Sequence, residues 1–279
     1  MDVVRLVLLR FATAVALWAC AAFAAAAPVA LVTDVVGTGT MRGAPLKILA
    51  EVDAGTEVDV AAGAHIVVFY LRDGSEWTLS GRGRYRFDAR APVPQGSAPT
   101  PQRKAVPSPL AGVRLRTAGA VQGGLQLRGG GDRPSLLAPV DDVLLDGDVT
   151  FAWEAASPGT SYRFELVDAS GTKVYVTDTE GSTLRLPAEV ALVRGARYAW
   201  AVSGRDLDAP QPFYRAAEFR VADAATRDRL RAAEPAADAP FADRVLYVAV
   251  LEDAGAKGTA RALRTRLATE RSAVWAPPR

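Results

Sequence analysis

The 279-residue sequence holds one cysteine, Cys20, and one histidine, His65. A lone cysteine excludes an internal disulfide, so stability must come from buried apolar side chains. These two residues are too few nitrogen and sulfur ligands for a zinc site. A Ser-His-Asp triad would have to use His65, which opens an apolar run and reads as a structural or surface histidine. No Gly-Lys-Ser/Thr occurs anywhere. Gly37-Thr38-Gly39 follows an extended segment, but the spacing to Gly43 is wrong for a dinucleotide fingerprint and no helical pattern follows, so these glycines read as a turn. No metal, no cofactor and no nucleic-acid partner is expected. Beyond residue 27 no run is long and apolar enough to span a bilayer.

Carboxylates cluster once, at Asp141, Asp142, Asp146 and Asp148. Their spacing is not that of the twelve-residue calcium loop with its closing Glu. Asp146-Gly147 reads instead as a hairpin turn at a sheet edge. The same acids lack a partner for glycoside hydrolysis by paired carboxyls. Nothing in the chain forms a catalytic constellation, so a non-enzyme is expected. Among the aromatics, Trp153 and Trp200 lie in phase with apolar alternation and are expected in a core. Trp77 and Tyr85 have charged neighbours, and Trp77, Tyr85, Arg84 and Arg86 are read as a face for a carbohydrate or peptide ligand.

What is present begins with the N-terminus. Arg5 and Arg10 precede an unbroken run of small and apolar residues from Phe11 to Ala27, the layout of a secretory signal. Ala22-Phe23-Ala24 offers an A-x-A cleavage site, giving a signal peptide over 1–24. Leu17-Trp18-Ala19-Cys20 resembles a lipobox, so lipidation at Cys20 or an uncleaved anchor stands as the alternative. A periplasmic or extracellular location follows. The remaining chain of about 255 residues is close to neutral, and is long enough to bury a substantial core. Its charge is uneven: Arg82, Arg84, Arg86, Arg90, Arg103, Lys104, Arg114, Arg116 and Arg128 face one acid, Asp88, so 82–128 carries +8 against −7 elsewhere. The stretch either lies across acidic parts of the same molecule or contacts an anionic partner. For the second case the contacts are Arg82, Arg90, Arg103, Lys104, Arg114, Arg116 and Arg128.

Residues 29–90 read as short strands broken by turns. The best local signal is a hairpin: His65 to Leu71, the turn pair Asp73-Gly74, then Glu76 to Leu79. Residues 91–134 carry six prolines up to Pro109, which favour extended, solvated backbone. They read as a Pro/Gly-rich basic linker, with Val113–Arg116 and Leu125–Arg128 as a hairpin within it. Residues 135–222 alternate with period two at Val149–Trp153, Tyr162–Leu166, Thr183–Leu186 and Tyr198–Val202, separated by turn signals, and predict an antiparallel β-sandwich. Residues 223–272 turn helical. A segment stopping at Pro235 is followed by a helix capped by Asp238 that runs to Ala254, with an apolar stripe of Phe241, Val245, Val248 or Ala249, and Leu251. A second helix spans about Thr259 to Glu270.

The stretch from Gly37 through Glu51–Asp59, Asp73-Gly74-Ser75 and Thr78-Leu79-Ser80-Gly81 resembles the periplasmic FecR-type β domain. The Phe151-Ala152-Trp153 strand with Tyr162 and the Gly195–Trp200 segment resembles an immunoglobulin or fibronectin-type module. Residues 241–271 resemble a single tetratricopeptide-like hairpin, which cannot bury its own face and must dock on the sandwich or on another chain. FecR regulators carry a cytoplasmic segment for which the residues before the apolar run leave no room, so direct transcriptional signalling is not expected, and the resemblance transfers no catalytic residue. The fold expected is mainly β: a FecR-like β domain plus an antiparallel β-sandwich, with a C-terminal αα-hairpin. The function expected is an exported, non-catalytic envelope protein that binds or scaffolds a protein or glycan partner. The alternatives are attachment to an anionic polymer or lipid surface through the basic stretch (peripheral membrane contact), a component of a cell-surface sensing system, and a hydrolase.

Overall fold

The computed structural model describes residues 28–104, 115, 134–205, 212–271 and 274–278. The signal sequence with Cys20, and Arg114, Arg116 and Arg128 with the hairpin read around them, lie outside the described residues. The chain is mainly β, with a β-sandwich and C-terminal helices.

Residues 28–104 form ten strands: β1 (Pro28–Val36), β2 (Gly39–Met41), β3 (Ala44–Pro45), β4 (Glu51–Asp53), β5 (Glu57–Val60), β6 (His65–Tyr70), β7 (Glu76–Ser80), β8 (Gly83–Phe87), β9 (Pro92–Gln95) and β10 (Gln102–Lys104). They make two five-stranded sheets, β10-β7-β6-β1-β4 and β3-β2-β5-β8-β9. Between the sheets lie Val32, Ile66, Val68, Tyr70 and Leu79 against Val58, Val60, Tyr85 and Phe87. At Gly39 a Cβ would meet the tip of the buried Ile66 side chain, Cδ1, at 2.5 Å, so that side chain would have to shift. Gly39→Ala is expected to lower urea-unfolding stability by about 1–3 kcal/mol, the usual cost of overpacking.

β6 is apolar without alternation because both of its faces are covered. Ile66 and Val68 point into the inter-sheet core, whereas Phe69 on β6 and Leu31 on β1 belong to a second core shared with the helices. The β6–β7 hairpin turns at Gly74 (φ 69°). Asp73 Oδ1 accepts from the Ser75 amide (3.1 Å) and hydroxyl (2.7 Å), and Ser75 Oγ in turn accepts from Trp77 Nε1 (3.0 Å). The Asp-Gly-Ser triplet is therefore a turn device that also fixes the tryptophan.

The linker expected from residue 91 is corrected over 92–104. β9 pairs with β8 and β10 with β7. Pro92 and Pro94 are tolerated in β9 because it is an edge strand, which needs fewer ladder donors, and β10 itself carries no proline.

The second β unit comprises β11 (Leu136–Ala138), β12 (Asp142–Leu144), β13 (Thr150–Trp153), β14 (Tyr162–Asp168), β15 (Lys173–Thr179), β16 (Thr183–Arg185), β17 (Arg197–Arg205) and β18 (Pro212–Val221). Its sheets run β11-β13-β16 and β12-β18-β17-β14-β15. Every pairing is antiparallel except β12 with β18, which is parallel. The alternating strands bury Phe151, Trp153, Phe164 and Trp200 together, with Phe151 and Phe164 ring centroids 4.8 Å apart. Trp200 Nε1 donates to the Pro139 carbonyl at 2.7 Å. Tyr198, at the start of β17, accepts from the Val193 amide at 2.8 Å and so ties the β16–β17 connection to the strand. Tyr198→Phe is expected to cost about 1–2 kcal/mol in urea unfolding, since a backbone donor loses its acceptor.

Three helices follow: α1 (Ala224–Ala233), α2 (Phe241–Asp253) and α3 (Lys257–Glu270). Asp223 caps α1 by accepting from the Thr226 amide at 2.7 Å. α2 starts later than expected: Pro240 occupies its N-cap without a side-chain bond, and Asp238 does not cap it. Nor does α2 carry a single apolar stripe. Ten of its 13 residues are buried, the mark of a helix covered on nearly all sides. It packs on the outward face of the first sheet beside Leu31 and Phe69. The helical segment thus docks on the N-terminal β unit, with a second contact to the sandwich. The C-terminal tail is pinned as well, Ile48 exchanging backbone bonds of 2.8 Å with Val274 and Ala276.

Candidate functional site

The ligand face read from Trp77, Tyr85, Arg84 and Arg86 is not assembled. Trp77 lies on β7 in one sheet, and the other three lie on β8 in the opposite sheet. Tyr85 is fully buried, its hydroxyl donating to the Ser80 carbonyl at 3.2 Å. Strand alternation explains the correction: with Arg84 and Arg86 pointing outward, Tyr85 and Phe87 must point inward. Arg84 pairs with Asp59 (2.8 Å) and Glu57 (3.6 Å), and Arg86 with Asp88 (3.3 Å). Trp77 is half-buried under the Arg103 guanidinium, 6.0 Å from its ring centroid.

Of the basic residues read as contacts for an anionic partner, Arg103 pairs with Asp73 (3.8 Å) and Lys104 with buried Glu76 (3.3 Å). Arg82 and Arg90 are exposed, and neither forms an ion pair among the described residues. His65 is exposed at the start of β6.

The acidic run is a fastening. Asp141 pairs with Lys257 at 2.5 Å. Asp142, almost buried, accepts from the Gly258 amide at 3.1 and 3.2 Å, so its carboxylate sits at the positive end of the α3 dipole. Asp146 pairs with Arg231 of α1 at 3.4 Å, and Asp148 with Arg185 at 2.7 Å. Three of the four acids therefore join the sandwich to the helices. Among the described residues no group of three or more His, Cys, Asp or Glu could hold a metal ion.

A half-open cleft of roughly 680 Å³ lies at the end of the sandwich. The β12–β13 turn contributes Leu145, Asp146 and Asp148, the β16–β17 connection contributes Leu186, Val190, Leu192 and Arg194, and Val221 ends β18 beside them. Apolar side chains thus meet a charged rim. Asp148 accepts from both Arg185 Nε (3.1 Å) and Arg185 Nη2 (2.7 Å), a hydrogen-bonded pair that holds the guanidinium proton more firmly than usual. Both rim acids point to arginines rather than to each other. That arrangement can hold a ligand, but it sets up no acid–base pair. The sequence reading assigned nothing to 187–193 and so missed this surface. Its signal in the sequence was Val190, Leu192 and Val193, more aliphatic than a solvated connection requires.

No family model and no curated protein matches the sequence. Among solved structures, CopC from Methylosinus trichosporium OB3b is similar over 33% of this chain and 96% of its own, at 17% identity and a TM-score of 0.26. A likeness of that size carries no argument about fold or ligand. No helix among the described residues is long and apolar enough to cross a membrane.

Proposed function

We propose that the chain is an exported, non-catalytic envelope protein that binds a protein or glycan partner and holds two β modules in fixed relation. In this reading residues 29–90 are the FecR-like unit, and export rests on the residue pattern of 1–27. The observation that carries binding is the sandwich-end cleft, whose apolar wall lies open, with Asp146 and Asp148 on its rim ion-paired and Arg194 without an ion pair among the described residues. A ligand entering it gains from apolar burial, and an anionic group on that ligand would find Arg194 at the rim. Scaffolding is supported by the helices, which touch both β units.

Photo-crosslinking side chains placed at Val190 and, separately, at Arg90 test the reading in cells. Capture of a defined partner at Val190 and not at Arg90 is expected. Capture at Arg90 alone would place the contact on the β unit and contradict the cleft.

Of the contacts read for an anionic polymer or lipid, Arg82 and Arg90 stay exposed and without an ion pair among the described residues. On that reading, binding to anionic vesicles falls steeply between low and physiological salt. Binding that does not change with salt, or none at low ionic strength, would contradict it.

A further inference from the structure

The seam between the first sheet and α2 encloses carboxylates that the cleft does not use. Glu76 on β7 is 2% exposed, Asp243 in the first turn of α2 is 1% exposed, and Asp34 on β1 is 7% exposed. Asp34 is answered by the Arg271 guanidinium, which also lies over the Phe241 ring. Glu76 has the Lys104 ammonium at 3.3 Å, from the short edge strand β10. Asp243 has nothing: both of its carboxylate oxygens are buried without a hydrogen-bond partner. Its neighbour Arg244 is turned to Glu270 at 2.7 Å. The charged groups facing Asp243 are therefore Glu76 and Lys104 from the sheet, Asp34 with its Arg271, and Arg244 with its Glu270. Lys104 is the one cation among the described residues within ion-pair distance of either Glu76 or Asp243, and it is spent on Glu76.

An ionised carboxylate shut away from water without a partner is costly, whereas the same group protonated is much less so. We propose that attachment of α2 to the N-terminal β unit is proton-linked: the seam is tightest with Asp243 neutral and loosens when that carboxyl ionises.

Two shifts point the same way. Burial pushes the Asp243 carboxyl up, with Lys104 offsetting only part of it. Burial likewise pushes Glu76 up against the pull of Lys104, and the charges of Asp243 and Asp34 add to the rise. A carboxyl that holds its proton more firmly docked than undocked adds stability at acid pH. That stability is complete below the ordinary carboxylate value, and it is lost as pH rises through the raised one. The linkage therefore runs opposite to that of a salt-bridged acid. In an exported protein it would make the seam responsive to acidification of the surroundings.

Amide hydrogen exchange across 241–253 in the full chain, corrected for the intrinsic effect of pH, reads the opening directly. Protection is expected to be roughly tenfold higher at pH 4.5 than at pH 8. Asp243→Asn should remove most of the difference, leaving only the smaller share from Glu76, and hold at pH 8 most of the protection that the unaltered chain shows at pH 4.5. Asp141→Asn, at the other seam, should leave the dependence intact. Equal protection at the two pH values, greater protection at pH 8, or persistence of the full difference in D243N would each overturn the proposal. Should D243N fail to fold, carbon NMR of the Asp243 carboxyl in the unaltered chain decides. A titration midpoint above the ordinary carboxylate range supports the linkage, and one within or below that range overturns it.

Discussion

Val248→Asp is expected to abolish folding of the N-terminal β unit and the helices together, with a loss of about 4 kcal/mol or more in urea unfolding. Val248 is fully buried in the middle of α2, in the same apolar cluster as Leu31 and Phe69 of the first sheet and Leu251 and Leu267 of the helices. A carboxylate there has no water and no cation. The loss is comparable with the whole stability of a typical domain, about 5–15 kcal/mol. α2 contributes most of the buried helical residues against the outward face of the first sheet, so the variant should also expose Phe69 and Leu31 and bind an apolar dye. Val248→Ala, which keeps the helix and removes two methyl groups, should cost only about 1–3 kcal/mol. A loss below about 1 kcal/mol in the Asp variant would mean that α2 is not packed as described.

Asp142→Ala is the second large effect, at about 2–3 kcal/mol. The carboxylate accepts from the Gly258 amide and from the Val143 amide (2.8 Å), which also bonds the Gly255 carbonyl at 2.9 Å. Removing it strips the α3 N-terminus of its anion and leaves the Gly258 donor without its acceptor in a nearly closed seam. Asp142→Asn keeps an acceptor and loses the charge, so about half the penalty is expected. The partner position is equally constrained, because a Cβ at Gly258 would meet Asp142 Oδ2 at 2.7 Å. Unfolding followed by Trp200 emission in the sandwich and by exchange at α3 would show whether the two units separate in D142A while remaining coupled in the unaltered chain.

Alternation made the sandwich legible: Tyr162-Arg163-Phe164-Glu165-Leu166 and Tyr198 through Val202 place their large apolar side chains inward as the pleat requires. The same rule, applied to Arg84-Tyr85-Arg86-Phe87, would have put Tyr85 in the core. The charges beside it drew the reading to the surface, although a strand's neighbours in sequence lie on its opposite face. Pro92 and Pro94 suggested solvated chain because proline opposes central strands, a rule that does not reach the edge where β9 lies. The acidic run could be read as a turn, but its partners, Lys257, Gly258 and Arg231, are distant in sequence and nothing local announces them. For α2, the residues Val245 through Leu251 are apolar almost without a break, which exceeds what one buried stripe needs. That excess was the visible sign of a helix covered by two neighbours. The cleft and the buried Asp243 depend on loops and layers meeting in space, and no periodicity encodes such meetings.

The account rests on the helical segment fastening both β units into a single arrangement. Spin labels at Arg82→Cys in the first unit and Tyr214→Cys in the second, in a Cys20→Ser background, measure it most directly. Both sites are exposed, and neither takes part in the seams. Pulsed electron spin resonance should give one narrow distance distribution, broadened when Asp142→Ala is added. A distribution spread over tens of ångströms in the unaltered seam, as two units joined only through the chain between Lys104 and Pro134 would give, would contradict it.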